Sequence, residues 1–479
     1  MMVKIKALLE KPVKGIAHTA VQNKAIRNFI LKKALNKVYS EYILKESEKY
    51  PAKEQEDKYY MVRAMFYTID RAMSSGISPG CRDALLDILL GSVLRGGDAE
   101  IKENFWNEFG FYPPTFVTIS PIKACNLRCI GCYASSGAKN DEKLDFDVFD
   151  RIVKEARELW GSHFIVISGG EPLLYKGIFD IAEKHRDTFF LMYTNGTLID
   201  EKVARRLAEL GNITPAISVE GFEKETEARR GKGVYKRIRK AMQNLKDAGV
   251  PFGISITATS QNVDIITSDE FYDFYFEKEP KAFYAWIFHY MPIGRSYTIE
   301  LMPTPEQRLF MWEKNRKIVR ERKIFIADFW NDGVITDGCI SAGRTGGYFY
   351  INWNGDCAPC VFQPYAIHNI NEVYKNGGNL NTILNSEFFR AIRKWQNEYA
   401  YEQPKDRKGN LLRPCIIRDH YGVYYKLLNL HKPRPIDQAA MDALKDEEYR
   451  RKLIAYGEKI EELTKGIWEK EYLKNEDLE

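Results

Sequence analysis

The sequence lacks any apolar run long enough to cross a bilayer. Its longest apolar stretch, residues 84–94, is interrupted by Asp87 and is much shorter than the ~20 residues that a membrane-spanning helix needs. The basic N-terminus is not followed by an apolar stretch with a small-residue cleavage site, so no secretory signal is predicted. Glycine (33 residues) and proline (19 residues) are too few for a fibrous or disordered chain. We therefore expect a folded cytoplasmic protein.

Cysteine is also scarce, with eight residues in 479, and the seven histidines show no spacing typical of a metal site. Cytoplasmic cysteines are usually free thiols, metal ligands or catalysts rather than disulfides. Three of them nevertheless crowd into the segment CNLRCIGC, at Cys125, Cys129 and Cys132. Cys81 opens an apolar helix and is predicted to be a buried structural thiol.

An excess of positive charge is confined to the N-terminus. Residues 1–40 carry nine Lys and Arg against one Glu, a net charge of +8 in a chain whose total is +5. Apolar residues recur at helical spacing over 21–38. A basic helix with an apolar face is typical of a membrane-surface element, since each Lys or Arg near anionic lipid contributes ~1 kcal/mol. The alternative is a helix that packs its apolar face on its own domain and leaves its lysines solvated.

The chain divides into four predicted regions. The first is helical and ends at Pro113-Pro114. The second alternates strands with helices, the third is a small α+β extension that contains four cysteines, and the fourth is a charged helical tail. In order, they cover residues 1–112, 113–303, 304–436 and 437–479.

The second region predicts a parallel sheet, because strand–helix alternation is typical of βαβ units. Six units are too few to close an eight-stranded barrel, so we predict an α/β fold built on a partial (β/α)6 TIM-like barrel. In such folds the chemistry lies at the C-terminal ends of the strands. The predicted strands cover 115–120, 163–168, 189–193, 213–218, 252–258 and 283–290, and the predicted helices 148–159, 202–210, 235–248 and 270–277.

The three crowded cysteines begin just past the first predicted strand. Thiolates in a Cys-x3-Cys-x2-Cys loop can bind three corners of an iron–sulfur cube, whereas a structural zinc site usually has four protein ligands. Three ligands leave one iron open, and an open coordination position is how metal sites bind substrate. The alternatives are a zinc knuckle or chance crowding.

CNLRCIGC after a first strand resembles the signature loop of the radical S-adenosylmethionine (radical SAM) enzymes. The resemblance covers residues 115–300. It implies a 4Fe–4S cluster on Cys125, Cys129 and Cys132, whose free iron binds the amino and carboxylate groups of S-adenosylmethionine. It also implies reductive cleavage to a 5′-deoxyadenosyl radical that abstracts hydrogen from an unactivated carbon. The electron that this cleavage requires is expected from a donor such as a ferredoxin or flavodoxin.

Further motifs of the family stand at other predicted strand ends. SGGEP after the second strand resembles its GGEP motif, which holds the methionine amino group, and TNGT after the third resembles its TNG turn. Both are also compatible with ordinary turns. SVEG after the fourth departs from the usual Ser-x-Asp-Gly at Glu220, so Ser218 is the better candidate for the ribose or carboxylate. The cofactor-binding residues that the resemblance implies are Tyr133, Gly169, Gly170, Glu171, Pro172, Asn195, Ser218 and Arg230.

Arg230 and Tyr133 have specific expected roles within that set. A guanidinium fork at Arg230 can pair with the methionine carboxylate. Tyr133 directly follows the third cysteine and matches the aromatic position near the adenine.

A second cysteine group lies in the extension. Cys339-x15-Gly355-x4-Cys360 resembles the start of the auxiliary-cluster region called SPASM, or Twitch in its shorter form. Four cysteines allow one auxiliary 4Fe–4S cluster, with Cys339, Cys360 and Cys415 as preferred ligands. The segment GYFYINWNGDC has the pattern of a β-hairpin. Cys357 is either the fourth ligand or a spare thiol on the other face of this hairpin, in which case the cluster is open or takes a ligand such as His420. A four-cysteine zinc site is the alternative.

Three functions remain open for the chain. The leading hypothesis is hydrogen abstraction from the hydrocarbon chain of a membrane lipid, with carbon–carbon joining as one outcome. It depends on the basic N-terminal helix and on aromatic residues in 283–303, and it is similar to what the membrane-spanning lipid synthases of the superfamily do. The rivals are a peptide or protein maturase, as SPASM relatives are, and a non-catalytic iron–sulfur electron carrier. Peripheral contact with an anionic membrane and an anaerobic source are expected, and a nucleic-acid partner is not.

Overall fold

A computed structural model describes residues 23–94, 97–278 and 280–474 of the chain. Residues 1–22 of the basic segment, including Val21, and residues 475–479 of the tail lie outside this description. Across the described part, no helix is both long and apolar enough to cross a bilayer. Among the described residues, four α-helices precede the first strand, and a π-helical turn (Ser40–Leu44) follows the first of them. The four are α1 (Lys24–Tyr39), α2 (Ala52–Ser74), α3 (Pro79–Leu94) and α4 (Gly97–Phe109).

Helix α1 leaves part of its apolar face in solvent. Ile26, Phe29 and Ile30 are 41%, 60% and 51% exposed, whereas the apolar residues of its second half, Leu31, Ala34, Leu35 and Val38, are partly buried. An ion pair of 3.0 Å between Arg27 and Asp70 connects α1 to α2. The helix thus packs one part of its apolar face on its own domain and exposes the other part.

The six predicted strands form a parallel array in chain order, β1 to β6. Helices between consecutive strands pack on the sheet, as right-handed βαβ connections require. The strands are Phe116–Ile119, Phe164–Ile167, Phe189–Thr194, Ile213–Val219, Gly253–Ala258 and Tyr284–His289. The helices α5 to α11 are Phe146–Trp160, Ile178–Lys184, Glu201–Leu210, Glu223–Arg230, Val234–Asp247, Val263–Ile266 and Asp269–Tyr272.

Helix α5 shows why these segments fold as they do. Apolar residues recur every three or four positions, and Phe149, Ile152 and Trp160 are fully buried on one face. The helix ends at Gly161, whose left-handed φ of 59° allows its amide to bind the carbonyl of Arg157. The opposite face remains polar and exposed, so the helix has one possible orientation on the sheet.

The extension adds one parallel strand to each edge of the array. Helix α12 (Pro305–Glu321) leads to β7 (Phe325–Asp328), which pairs with β6, and β8 (Tyr348–Ile351) pairs with β1. Eight parallel strands therefore surround one interior, with no pairing between β7 and β8. The predicted hairpin is present as β8 and the antiparallel strand β9 (Asp356–Ala358).

The remaining elements surround the second cysteine group. Short strands β10 (Tyr365–Ala366) and β12 (Arg434–Pro435) pair antiparallel, and β11 (His368–Asn369) extends β9. The helices α13 to α18 are Ile370–Lys375, Leu380–Leu384, Glu387–Gln396, Tyr421–His431, Gln438–Lys445 and Glu447–Ile467.

A buried cluster of four charges, here called the charge quartet, connects α2 with later segments. Lys408 lies 3.1 Å from both Glu54 and Asp337. Lys58 lies 2.7 Å from Glu54 and 2.9 Å from Asp337. Two cations and two anions thus compensate one another, which is the condition under which buried charges are tolerated. Because Asp337 is two residues before Cys339, the quartet also holds the start of the second cysteine group.

Candidate functional site

The three crowded cysteines lie on the loop between β1 and α5, at the C-terminal end of the barrel strands. The loop is anchored from two sides. The amides of Gly170 and Glu171, after β2, donate to the carbonyls of Ile122 and Ala124 at 2.9 Å. Beyond β6, the amide of Arg295 donates to the Cys132 carbonyl at 3.0 Å. The loop is thus held in place by the ends of other strands.

The loop brings three cysteine thiols close to one another. Burial raises the pKa of the Cys125 thiol to about 11, against the hydrogen bond from the Leu127 amide, and Cys129 and Cys132 contribute to the rise. Three neighbouring thiols suit a group that binds thiolates. Among the described residues, no set of three or more His, Cys, Asp or Glu is arranged around a single metal ion. The thiolates of an iron–sulfur cluster bind different irons and need not meet at one point.

In the structure, only the two glycines of the GGEP turn face the cavity. Gly169 and Gly170 line the cavity beside the cysteine loop, whereas Glu171 and Pro172 do not. A Cβ at position 170 would collide with backbone carbonyls of the cysteine loop, so only glycine permits this approach. Glu171 is fully buried. Its carboxylate accepts hydrogen bonds from Thr194 Oγ1 (2.7 Å) and the Asn195 amide (2.8 Å).

Asn195 and Tyr133 both contact the neighbourhood of the cysteines. The side-chain nitrogen Nδ2 of Asn195 donates to Asn126 Oδ1 at 2.9 Å and lies 3.7 Å from Cys125 Sγ. The Tyr133 hydroxyl accepts from the Gly169 amide at 3.0 Å, and its ring lines the cavity. The structure therefore brings both predicted residues to the same wall as the cysteine loop.

Glu220 binds the two arginines that the sequence placed downstream of it. Its Oε1 lies 2.6 Å from both Arg229 and Arg230, and Arg230 Nη1 is 4.0 Å from Cys129 Sγ. Although burial disfavours the charged form, Glu220 and Cys129 raise the pKa of Arg230. Ser218 lines the cavity nearby. The glutamate that stands in place of the family's aspartate is thus a counter-ion for Arg230.

One cavity of about 480 Å³ connects the two cysteine groups. Cys125, Cys129 and Cys132 line one part of it, and Cys339, Cys360 and Cys415 line another. Its wall between them is largely aromatic, which favours apolar contacts with a ligand. The aromatic residues of this wall include Tyr193, Trp286, Phe288, Phe329, Trp330, Tyr348 and Phe362.

The fourth cysteine of the second group lies elsewhere. Cys357 is fully buried in β9, with its Sγ 3.5 Å from the Gly355 carbonyl, and it does not line the cavity. His420 also points away, since its Nε2 donates to the Arg413 carbonyl at 2.9 Å. The geometry therefore favours the spare-thiol alternative for Cys357 and gives no support to His420 as a ligand.

His289 is a cavity residue that the sequence analysis did not single out. It ends β6 and is fully buried, with Nε2 3.0 Å from Asp328 and Nδ1 3.1 Å from an Arg418 nitrogen. Burial lowers its pKa, against the effect of Asp328. Since Asp328 and Arg418 occupy both ring nitrogens, this ring is fixed rather than free to carry protons. Its position at the C-terminal end of a barrel strand was the available signal.

Comparison with known proteins identifies both cysteine regions. Residues 119–265 match the family model of the Radical SAM superfamily. Residues 339–406 match the SPASM model, which describes an iron–sulfur cluster-binding domain. The chain contains a radical SAM domain followed by a SPASM domain. It is a radical SAM enzyme, and its two matched regions imply a catalytic 4Fe–4S cluster, S-adenosylmethionine and an auxiliary iron–sulfur cluster.

Curated relatives of this radical SAM enzyme act on different substrates. The AdoMet-dependent heme synthase of Methanosarcina barkeri is 26% identical over 62% of this chain and 87% of its own length. The mycofactocin maturase MftC of Mycolicibacterium smegmatis is 29% identical over 61% of this chain and 76% of its own. The sporulation killing factor maturation protein SkfB of Bacillus subtilis is 29% identical over 33% of this chain and 38% of its own.

A solved structure confirms the predicted fold class. Streptococcus suis SuiB, crystallised with S-adenosylmethionine, superposes with a TM-score of 0.50 at 18% identity, covering 71% of this chain and 83% of that one. The partial barrel, the helical N-terminal region and the C-terminal extension are thus confirmed as the architecture of this radical SAM enzyme.

Proposed function

We propose that this radical SAM enzyme modifies a peptide or protein by abstracting hydrogen from an unactivated carbon. The observation that carries the proposal is the single aromatic-walled cavity that reaches both cysteine groups. Two findings support this substrate class: the similarity to the maturases MftC and SkfB, and the match of this chain to the SPASM model. The two maturases therefore favour the peptide alternative over the lipid hypothesis.

In this proposal Cys125, Cys129 and Cys132 hold the catalytic cluster. When bound, the cluster and S-adenosylmethionine supply the one-electron chemistry that creates a hydrogen-abstracting radical. The chain's own residues position the reactants: Gly170 permits close approach, and Arg230 places a positive charge beside the loop. The aromatic wall excludes water from the reacting carbon.

For the auxiliary cluster we propose three ligands, Cys339, Cys360 and Cys415. All three line the cavity, and Cys357 does not. Three thiolates would hold three of the four irons and would leave one iron without a protein ligand. The auxiliary cluster would then lie where it can contact a bound peptide.

The proposed substrate class is tested in cells with and without the gene. Extracts are compared by mass spectrometry in three fractions: peptides, lipids and tetrapyrroles. A peptide whose mass changes only when the gene is present, with unchanged lipid chains, supports the proposal. A changed lipid chain or tetrapyrrole with unchanged peptides contradicts it. Purified enzyme with dithionite should form 5′-deoxyadenosine from S-adenosylmethionine in either case, whereas an electron carrier should not.

We also propose that α1 docks on an anionic membrane surface. The exposed Ile26, Phe29 and Ile30 share this helix with Lys32 and Lys33, which are exposed too. Apolar side chains flanked by lysines match the chemistry of an anionic interface.

Flotation with vesicles tests this docking surface. The wild-type protein should float with phosphatidylglycerol vesicles and not with phosphatidylcholine vesicles. Phe29→Ser with Ile30→Ser should lose most of the binding. Leu430→Ser is the matched control, because Leu430 is 72% exposed but lies on α16. Equal flotation of all three proteins, or none by the wild type, contradicts the proposal.

A further inference from the structure

The Cys360 sulfur has two hydrogen-bonding neighbours. The hydroxyl of Tyr348 lies 2.9 Å from Cys360 Sγ. The backbone amide of Phe362 donates to the same sulfur at 3.5 Å. Cys360 is 4% and Tyr348 1% exposed, so water does not compete for the contact between hydroxyl and sulfur.

Tyr348 is held rigidly at this position. Its ring stacks on Phe116 at 5.0 Å with an interplanar angle of 6°, across the β8–β1 pairing. Its backbone amide donates to the Ile340 carbonyl at 2.9 Å. Because Ile340 follows Cys339, this one tyrosine is connected to two of the three proposed auxiliary ligands.

Cluster binding fixes the direction of the hydrogen bond. A cysteine that binds iron is a thiolate without a proton, whereas a buried phenol keeps its proton at neutral pH. We propose that the Tyr348 hydroxyl donates a hydrogen bond to the Cys360 thiolate and thereby raises the reduction potential of the auxiliary cluster. The bond does so by stabilising the extra negative charge when the cluster accepts one electron.

The role assigned to Tyr348 is that of a positioning and tuning residue, since it acts through Cys360. The inference rests on the proposed ligand Cys360 and not on the peptide substrate. A failure to find a modified peptide would leave it intact, so the two proposals fail separately.

The test compares Tyr348→Phe with Tyr350→Phe in the full-length enzyme carrying its clusters. Both tyrosines lie on β8 and are buried, but the Tyr350 hydroxyl donates to Ser120 Oγ at 2.9 Å instead of to a cysteine. Each protein is titrated with dithionite and followed by EPR. The component that does not respond to added S-adenosylmethionine reports the auxiliary cluster.

We expect Tyr348→Phe to shift the midpoint potential of that component to a more negative value and Tyr350→Phe to leave it unchanged. In D2O, the wild type should also show an exchangeable proton coupled to the cluster by ENDOR, and Tyr348→Phe should lack it. Equal potentials in all three proteins overturn the inference. If Tyr348→Phe loses the auxiliary cluster, the potentials cannot be compared and the ENDOR spectrum of the wild type decides. A wild type without the exchangeable proton then overturns the inference as well.

Discussion

At the scale of single residues, the two buried glutamates of the site bind protein groups. Glu171 accepts hydrogen bonds from Thr194 and Asn195, and Glu220 neutralises Arg229 and Arg230. A carboxylate placed this way fixes the groups that face the cavity. Glu171 therefore positions the residues Thr194 and Asn195, and its own carboxylate does not line the cavity.

The two cysteines of the C-terminal hairpin should differ in their effect on iron content. Because Cys360 lines the cavity and Cys357 does not, Cys360→Ala should lose the auxiliary cluster, about four irons per chain. Cys357→Ala should keep both clusters, about eight irons in total. Iron and sulfide analysis of anaerobically reconstituted protein measures the difference. Equal losses in the two variants would restore Cys357 as a ligand.

The sequence predicts the cysteines better than their partners. CNLRCIGC is local in the chain, so its spacing alone indicates three ligands on one loop. The position of Cys357 depends on which face of the hairpin meets the cavity, and this depends on the pairing of β8 with β1. The partners of His289 come from β7 and from residue 418, far away in sequence. No local pattern contains that information.

At the scale of elements, the turn after β2 is where the barrel meets the cysteine loop. Gly170→Ala should displace this loop, because the added Cβ would collide with the carbonyls of Lys123 and Ala124. We expect at least a tenfold weaker affinity for S-adenosylmethionine, roughly 1.4 kcal/mol. Equilibrium binding to the anaerobically reconstituted enzyme measures it.

Gly466→Ala is the matched control for this variant. Gly466 lies on α18 with nothing within 4 Å of an added Cβ, and alanine favours the helix by roughly 1 kcal/mol. Affinity should be unchanged in this control. Wild-type affinity in Gly170→Ala would show that the close approach of the two loops is not needed.

The barrel strands are predictable, whereas the edges of the sheet are not. Each of β1 to β6 is a short apolar or β-branched run between amphipathic helices, and this pattern is typical of parallel sheets. Strands β7 and β8 have four residues each and join the sheet through pairings with β6 and β1. Tertiary packing decides which strands β7 and β8 pair with. The sequence pattern therefore predicts the six strands of the array but not these two edge pairings.

At the scale of the whole molecule, a partly buried histidine couples stability to pH. Burial and the neighbouring Arg413 together lower the pKa of His420 to about 4. An unfolded chain has His titrating near ~6.5. Between these values the unfolded chain binds the proton and the folded chain does not, so stability decreases as pH falls from ~6.5 toward 4 and is unaffected by this group at higher pH.

His420→Gln should reduce this loss, since glutamine can still donate to the Arg413 carbonyl but binds no proton. At about pH 5 the histidine contribution corresponds to about 2 kcal/mol. Thermal unfolding of wild type and variant at about pH 7.5 and about pH 5 measures it. A decrease in melting temperature that is the same in both proteins would contradict the assignment.

The charge quartet sets a limit on how the chain can be shortened. Glu54 is one of only two anions that face the buried Lys408 amine in that cluster. Deleting residues 1–40 removes none of its members, so a trimmed enzyme for vesicle or crystallisation work retains a neutral interior. A start point between positions 55 and 58 would leave two ammonium groups against the single carboxylate of Asp337, and a start beyond 58 would leave Lys408 with Asp337 alone. Either change would loosen the approach to Cys339. The N-terminal helices therefore differ in role: α1 lies outside the charge quartet, whereas α2 supplies two of its four members.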